Sequence, residues 1–170
     1  MPRKALSNVA ASRLHELFSY DEKTGILRWK VARSNRIKVG DIAGGANSDG
    51  YRVVWVEGKL LLVHRVVWAM QTGRWPSSHL DHRDMNKSNN RFDNLRECND
   101  SQNMANGGIR KSNTSGFKGV TPSGNRKKWK AQITYQKKLR YLGTYDTREE
   151  AHHVYCREAE KLFGEFARSN

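Results

Sequence analysis

Residues 79–106 read HLDHRDMNKSNNRFDNLRECNDSQNMAN, a stretch with few aliphatic side chains and many asparagines. Seven of the 21 residues from Asn86 to Asn106 are asparagine. Asparagine side chains bond to nearby backbone groups, so this density predicts loops that side-chain hydrogen bonds hold in place. We expect a small frame around these loops: a strand over residues 80–82, a partner strand over 95–98 and a short helix that begins near residue 99 or 100.

This frame would bring a carboxylate and an amide towards each other. Asp81 lies on the first strand and Asn103 on the helix, and their oxygens are hard ligands of the kind that divalent cations accept. His82 follows Asp81 on the same strand and points to the opposite side of the chain. It is therefore a poor ligand of the same ion and a better proton acceptor, although an Asp–His pair alone is more often structural than catalytic.

The residues before this stretch predict hairpins and one helix. Residues 20–29 are typical of a turn that leads into a strand, and residues 51–63 of a hairpin. Residues 63–73 place their apolar side chains on one helical face, and Gly73 and Pro76 are expected to end that helix.

The residues after it predict a small sheet and a helix. Apolar and polar side chains alternate from Trp129 to Tyr135, which is the period of a half-buried strand. Gln136-Lys137 is expected to form a tight turn into a second strand over residues 138–144. Thr147-Arg148-Glu149-Glu150 matches a capping box that opens an amphipathic helix. Three short strands and this helix would form an α+β module, with one face of the sheet on the helix and a basic face opposite.

The chain carries a large positive charge, concentrated in that module. Its 170 residues hold 31 Lys and Arg against 17 Asp and Glu, for a net charge of +14. Residues 107–145 contain ten basic residues and no acidic one. Apolar and aromatic side chains are interleaved with these charges, which disfavours a disordered tail. A folded basic surface is typical of a nucleic-acid binder, and we prefer this interpretation to a solvated basic face.

Composition excludes several classes of protein. Hydrophobic residues make up only 36% of the chain, so a large enzyme core with a small-molecule substrate is not expected. The longest apolar run, over residues 60–70, is broken by His64 and Arg65 and is too short to cross a membrane. The basic N-terminus is not followed by the apolar stretch of a signal peptide. The two cysteines, Cys98 and Cys156, exclude a disulfide scaffold and a Cys-rich zinc site and favour a cytoplasmic location.

Two series of residues match known families. The first comprises Val63-His64-Arg65, Asp81-His82, Asn89-Asn90-Arg91, Asn94-Leu95-Arg96, Gln102-Asn103 and Asn106. It resembles the HNH nuclease motif in the Asn-terminated form of phage homing endonucleases. The second comprises Ser115-Gly116-Phe117-Lys118-Gly119-Val120, Trp129-Lys130-Ala131-Gln132-Ile133, Leu142-Gly143-Thr144-Tyr145, Glu150-Ala151 and Gly164-Glu165-Phe166-Ala167. It resembles an AP2-type DNA-binding domain, and this order of the two is that of phage HNH/AP2 endonucleases.

The resemblance implies a fold and a domain plan. The expected class is α+β, with a ββα-metal (HNH) nuclease core, N-terminal β-hairpins and a separate three-stranded sheet plus helix that is AP2-like. The corresponding segments are a β-rich segment over residues 1–50, the nuclease domain over 51–107, a linker over 108–116 and the AP2-like domain over 117–170.

The resemblance also implies roles for single residues. His82 matches the general base that activates water, and Asn94 matches the middle Asn that ties the loop and orients His82. Asp81 and Asn103 match the ligands of one Mg²⁺, for which Mn²⁺ can substitute. A neutral amide at position 103 binds metal weakly, so tight binding is expected only when DNA contributes a phosphate.

Double-stranded DNA is the expected partner of the AP2-like domain. The strand alternation places four side chains on its open face, whereas on the next strand the charge pattern favours Arg140 and the AP2 resemblance favours Tyr141. The full set of expected DNA-binding residues is Lys118, Arg126, Lys128, Lys130, Gln132, Thr134, Arg140 and Tyr141.

The function expected from all of this is a Mg²⁺-dependent DNA endonuclease of the homing type, encoded by a phage and acting in the host cytoplasm as a monomer or weak dimer. The alternative is a non-enzymatic, sequence-specific DNA-binding regulator, which would have no use for Asp81, His82 and Asn103. RNA binding is less favoured, because the free face of the sheet is basic rather than aromatic.

Overall fold

Short helices and two- or three-stranded sheets make up the structure, a computed structural model that describes residues 9–110, 112–124 and 127–168. It divides into two units, one up to Glu97 and one from Cys98. Each unit combines helices with small antiparallel sheets, so the expected α+β class is confirmed. Within the described ranges, no helix is both long enough and apolar enough to span a membrane.

The N-terminal unit is built on two sheets and two helices. Its elements are α1 (Ala11–Leu17), β1 (Phe18–Asp21), β2 (Ile26–Trp29), β3 (Gly45–Ala46), β4 (Arg52–Val56), β5 (Lys59–Leu62) and α2 (Val63–Thr72). Strands β1 and β2 form a hairpin, and β3, β4 and β5 form a three-stranded sheet in that order. The predicted hairpin and helix are confirmed. Helix α1 was not predicted, because it has seven residues and begins after Ala10, whose methyl group cannot cap a helix.

Alternation along β4 explains the core of this unit. Val54 and Val56 are buried, whereas Trp55 between them is 61% exposed. The buried valines pack with α1, the β1–β2 hairpin and the buried face of α2 in one apolar cluster. Glu57 and Gly58 both have positive φ, as a two-residue hairpin turn requires. The N-terminal unit therefore has an apolar core, and the next strand pair packs on it.

The asparagine-rich stretch folds as the sequence predicts. Strand β6 (His79–His82) pairs with β7 (Leu95–Cys98), and a 3₁₀ turn over Phe92–Asn94 precedes β7. Helix α3 (Asp100–Asn106) follows. Asn99 caps it: its side chain accepts a hydrogen bond from the Gln102 amide, and the Gln102 side chain accepts one from the Asn99 amide.

The C-terminal unit contains the predicted sheet and helix. Strands β8 (Val120–Pro122), β9 (Trp129–Tyr135) and β10 (Lys138–Tyr145) pair antiparallel with β9 in the middle, and α4 (Arg148–Phe163) packs on one face. Gln136 and Lys137 have positive φ in the β9–β10 turn, and Thr147 and Glu150 form the capping box of α4. The local turn and cap chemistry therefore predicted this part of the chain correctly.

Helix α3 packs into the core of the C-terminal unit. Ala105 is buried in one cluster with Ile133, Tyr155 and Phe163. The Lys118 ammonium also donates hydrogen bonds to the carbonyls of Ala105 and Gly107, at the end of this helix. The sequence places a boundary after residue 107, whereas the observed division follows residue 97. A helix of seven residues is not stable alone, and this core supplies the packing that it needs.

The predicted linker contains an ordered turn. Ser115 is 1% exposed, and its Oγ lies 2.9 Å from the Val120 carbonyl. The Asn113 side chain donates to the Phe117 carbonyl and accepts from the Gly116 amide. Residues 112–116 are thus tied to the start of the C-terminal sheet by their side chains.

Because α3 and α4 pack in one core, a substitution that disrupts the packing of α4 should also destabilise α3. Phe163→Ala should leave a cavity that costs about 3–5 kcal/mol. The amides of Asn103 and Gly107, which donate within α3, should then exchange their hydrogens faster. Hydrogen–deuterium exchange measured by NMR checks this.

The matched control is Phe18→Ala, which removes a side chain that is 1% exposed in the core of the other unit. It should leave exchange in α3 unchanged. Unchanged exchange in Phe163→Ala, or equal acceleration by both variants, would contradict the placement of α3 in the C-terminal core.

Candidate active site

Three of the residues expected in the site lie together around the β6–β7 pair. Asp81 and His82 end β6, and Asn94 ends the 3₁₀ turn before β7. All three are nearly buried, with 8%, 4% and 8% of their surface exposed. Polar groups in such surroundings require hydrogen-bond partners, so their contacts define what the site can do.

Asn94 ties together the two ends of the loop between β6 and β7. Its Oδ1 accepts from the Asp84 amide at 3.1 Å, and its Nδ2 donates to Asp84 Oδ1 and to the Asn89 carbonyl, both at 2.9 Å. The Asn94 carbonyl accepts from the Arg83 amide, directly after His82. The side chain of Asn94, at the far end of the loop, therefore holds the backbone that follows His82 in place.

Asp84 completes this network. Its Oδ2 accepts from Asn89 Nδ2 at 2.7 Å, and its Oδ1 also accepts from the Asn86 amide at 2.8 Å. Burial acts to raise the pKa of Asp84, but the bonds from Asn89 and Asn94 outweigh it, and the pKa lies below its usual value. Asp84 thus stays ionised and serves as the acceptor that organises the loop.

The imidazole of His82 is neutral and closely surrounded. Its Nε2 lies 3.3 Å from Asn90 Oδ1, and its ring packs edge-on against His64 with 5.0 Å between centroids. The Tyr51 ring lies 6.0 Å away. Burial lowers the pKa of His82, and burial together with the neighbouring His82 lowers the pKa of His64 to about 3. A neutral imidazole keeps one ring nitrogen able to accept a proton.

Asp81 forms a buried ion pair that sequence reasoning missed. Arg96 Nε and Nη2 both donate to Asp81 Oδ2 at 2.9 Å, and the two side chains are only 8–9% exposed. In the sequence, Arg96 stands out only as part of the HNH-like series. The strand pair predicted for residues 80–82 and 95–98 contained the signal, because facing strands bring residues 81 and 96 within reach.

The fourth expected residue, Asn103, lies on α3 in the C-terminal unit. The described part of the chain contains no group of three or more His, Cys, Asp or Glu side chains that could hold a metal ion. The expected donors are a carboxylate and an amide, and this oxygen chemistry fits a hard divalent cation that keeps most of its water. Asp81 would have to share its carboxylate with Arg96.

Beside the loop lies a shallow cleft of about 310 Å³. Arginines, carboxylates and amides line it, and these residues are Arg83, Asp84, Asn89, Arg91, Asp93 and Asn94. Two of these residues, Asp84 and Asn94, belong to the loop network, and Arg91 is paired with Asp93 at 2.7 Å.

The strand register divides the expected DNA-binding residues between the two faces of the C-terminal sheet. Ile133 is buried against α4, so the alternating residues Lys130, Gln132 and Thr134 lie on the open face. Tyr141 pairs with Gln132 and shares that face. Arg140 pairs with Ile133 instead, and its guanidinium lies over the Tyr135 ring. Of the two residues between which the sequence left the choice open, Tyr141 is therefore the one on the open face.

Three other expected DNA contacts have different surroundings. Lys128 forms an exposed ion pair with Asp146 at 2.9 Å. Lys118 is half-buried on the carbonyls at the end of α3, and this burial lowers its pKa to about 8. Its ammonium thus has a structural role that the charge count could not reveal. Arg126 lies outside the described residues.

Comparison with known proteins places the same residues in a family. Residues 61–105 match the family described as HNH endonuclease. The chain is 36% identical over 106 residues to Protein 3.8 of Escherichia phage T7, a match that covers 62% of this chain and 87% of that protein. It is 37% identical over 124 residues to an uncharacterized HNH endonuclease of Acanthamoeba polyphaga mimivirus, covering 72% of this chain and 63% of that protein.

Because the Asp81–Arg96 ion pair is buried, replacing Arg96 should destabilise the protein more than replacing an arginine in an exposed ion pair. Arg96→Leu should leave the Asp81 carboxylate buried without its partner and destabilise the N-terminal unit by about 3–5 kcal/mol. Arg91→Leu breaks an exposed pair with Asp93 and should cost less than about 1 kcal/mol. Urea unfolding followed by tryptophan fluorescence measures both, and similar small losses would show that Asp81 does not depend on Arg96.

Proposed function

This chain belongs to the HNH endonuclease family and is a DNA endonuclease, and on that premise we propose that His82 is the general base of its reaction. The observation that carries the proposal is the environment of His82. It is a buried imidazole with a lowered pKa at the end of β6, next to Asp81 and directly before the loop that Asn94 holds. A neutral imidazole in a fixed position is what proton removal from water requires.

His82 accepts a proton from a water molecule as the water oxygen bonds to the phosphorus of a DNA phosphodiester and the bond to the 3′-oxygen breaks. HNH nucleases generally depend on a divalent metal. We propose one Mg²⁺, or Mn²⁺ in its place, with Asp81 and Asn103 as its protein ligands. When bound, the ion supplies positive charge for the phosphate and the departing oxygen. Asn94 keeps the loop, and with it His82, in one position.

The C-terminal unit is proposed to be the AP2-like module that binds the target. Its open face carries Lys130, Gln132, Thr134 and Tyr141 on two paired strands. A two-stranded ribbon fits into the major groove of double-stranded DNA. Lys128 borders this face, paired with Asp146. Lys118 and Arg140 are not part of the proposed surface, because one is bonded to α3 and the other lies on the opposite face.

A homing-type role in phage-infected cells, acting in the cytoplasm as a monomer or weak dimer, completes the proposal. The similarity to proteins of a phage and of a giant virus supports the viral setting. The regulator alternative has no comparable support, since the family assignment makes the chain an enzyme.

Replacement of His82 tests the catalytic assignment. With supercoiled plasmid and Mg²⁺, His82→Ala should slow cleavage by about 10² to 10⁴-fold, the usual contribution of a general base. DNA affinity, measured by fluorescence anisotropy, should stay near the wild-type value because the C-terminal unit is intact.

The control is His153→Ala, which changes an exposed histidine of α4 and should cut at the wild-type rate. A His82→Ala protein that also cuts at that rate would refute the assigned base. Cleavage by the wild-type protein with Mn²⁺ but not with Mg²⁺ would correct the choice of metal.

Opposite faces of the C-terminal sheet give a matched test of DNA binding. Lys130→Ala should reduce the slope of log affinity against log salt concentration by about 0.9 for each phosphate that the protein no longer neutralises. Arg140→Ala removes a charge of the same sign from the other face and should leave the slope nearly unchanged. The reverse result would show that the α4 side of the sheet, rather than its open face, binds DNA.

A further inference from the structure

We propose that the open face of the C-terminal sheet recognises A·T base pairs: Leu139, beside the Tyr141 ring, contacts the methyl group of thymine, and Gln132 bonds to adenine. The inference rests on the proposed function, in which this face binds double-stranded DNA. It gives Leu139, a residue without charge and outside both family-like series, a role in sequence specificity.

Leu139 and Tyr141 form an exposed apolar strip on β10. Leu139 pairs with Thr134 and Tyr141 with Gln132, so all four side chains lie on the open face. Leu139 is 65% exposed and Tyr141 is 64% exposed. Apolar side chains that lie side by side in water favour contact with a partner, because that contact removes their surface from water.

A β-bulge orients the Tyr141 ring on this face. The register of β9 and β10 shifts between Tyr141 and Gly143, so Thr144 pairs with Lys130 and lies on the same face as Tyr141. The Tyr141 Oη and Thr144 Oγ1 lie 2.6 Å apart, which is hydrogen-bond distance. The hydroxyl of Tyr141 thus has a partner within the protein, and its ring is left as an apolar wall beside Leu139.

Positive charge flanks this strip at both ends. Lys127 and Lys128 precede β9, Lys137 and Lys138 lie where the chain turns into β10, and all four are exposed. Lysines placed in this way can neutralise phosphates, which positions the sheet on DNA without reading its sequence. Within the described strands β9 and β10, Lys130 is the only basic residue on the open face between them.

The neutral centre of the face matches the major-groove edge of an A·T pair. Thymine presents an apolar methyl group there, which suits Leu139. Adenine presents a donor and an acceptor, and the Gln132 amide can bond to both. Guanine is most often recognised by a bidentate Arg or Lys, and the described centre of the face offers an amide, a hydroxyl and apolar groups instead.

Thymine-to-uracil replacement tests the methyl contact. The full chain, in EDTA to prevent metal-dependent cleavage, first selects duplexes from a random library, and these should be enriched in A·T pairs. A selected duplex is then made again with deoxyuridine in place of thymidine, which removes only the methyl groups. Wild-type affinity, measured by fluorescence anisotropy, should fall about fourfold for one contacted methyl group. In Leu139→Ala the two duplexes should differ by less than about twofold.

Gln132→Ala tests the bond to adenine. Changing one enriched A·T pair to G·C should weaken the wild-type protein about tenfold, the usual effect of losing one bidentate contact. The same change should have little effect on Gln132→Ala. An equal loss in both proteins would contradict the role of Gln132.

The matched control for Leu139 is Leu60→Ala, which removes a side chain of β5 that is 50% exposed in the N-terminal unit. It should keep the wild-type response to uracil. A library without A·T enrichment, or a uracil effect as large in Leu139→Ala as in the wild-type protein, overturns the proposal. If Lys130→Ala leaves the salt dependence unchanged, the open face does not bind DNA and the proposed function itself fails, so the two failures are distinguishable.

Discussion

The loop between β6 and β7 depends on the hydrogen bonds of one buried polar side chain, that of Asn94, which is 8% exposed. A buried polar group without a partner costs more than its hydrogen bond would contribute, so each one restricts its neighbours. Asn94 meets this requirement through bonds to the exposed Asp84 and to the loop backbone. Because these bonds span the whole loop, His82 at one end cannot move without breaking contacts at the other. Ordinary hydrogen-bond requirements thus hold the proposed base, His82, in one position.

Local chemistry made the elements predictable. The alternation from Trp129 to Tyr135, the positive-φ turn after it and the capping boxes at Asn99 and Thr147 all involve residues within a few positions of each other. The strands around the candidate site were predictable for the same reason. The order of the HNH-like series, which does not depend on distant contacts, also made Asp81, His82 and Asn94 candidates for the site, and their catalytic and metal-binding roles stay predictions.

What the sequence could not provide are contacts between residues that are far apart in the chain. The Tyr20 hydroxyl, for example, reaches the Asn90 carbonyl across 70 positions. In the sequence, Lys118 is simply one more positive charge. In the fold, its ammonium donates hydrogen bonds to carbonyls at the end of α3. The packing of α3 in the C-terminal core was equally unpredictable, because nothing in the sequence around Ala105 indicates the aromatic residues that it contacts. Local sequence patterns predict helices and strands, whereas tertiary packing determines which of them are in contact.

Charge sets a limit on how the proposed ligands can hold a cation. The set contains one carboxylate, and its Oδ2 already accepts two hydrogen bonds from the Arg96 guanidinium. The amide of Asn103 adds no negative charge. A divalent ion at Asp81 would therefore share a carboxylate whose charge Arg96 already balances, and the nearby guanidinium would oppose its binding. In the proposed site, a DNA phosphate would add the missing negative charge. We therefore expect the cation and the substrate to bind with positive coupling, and the protein without DNA to hold the metal weakly.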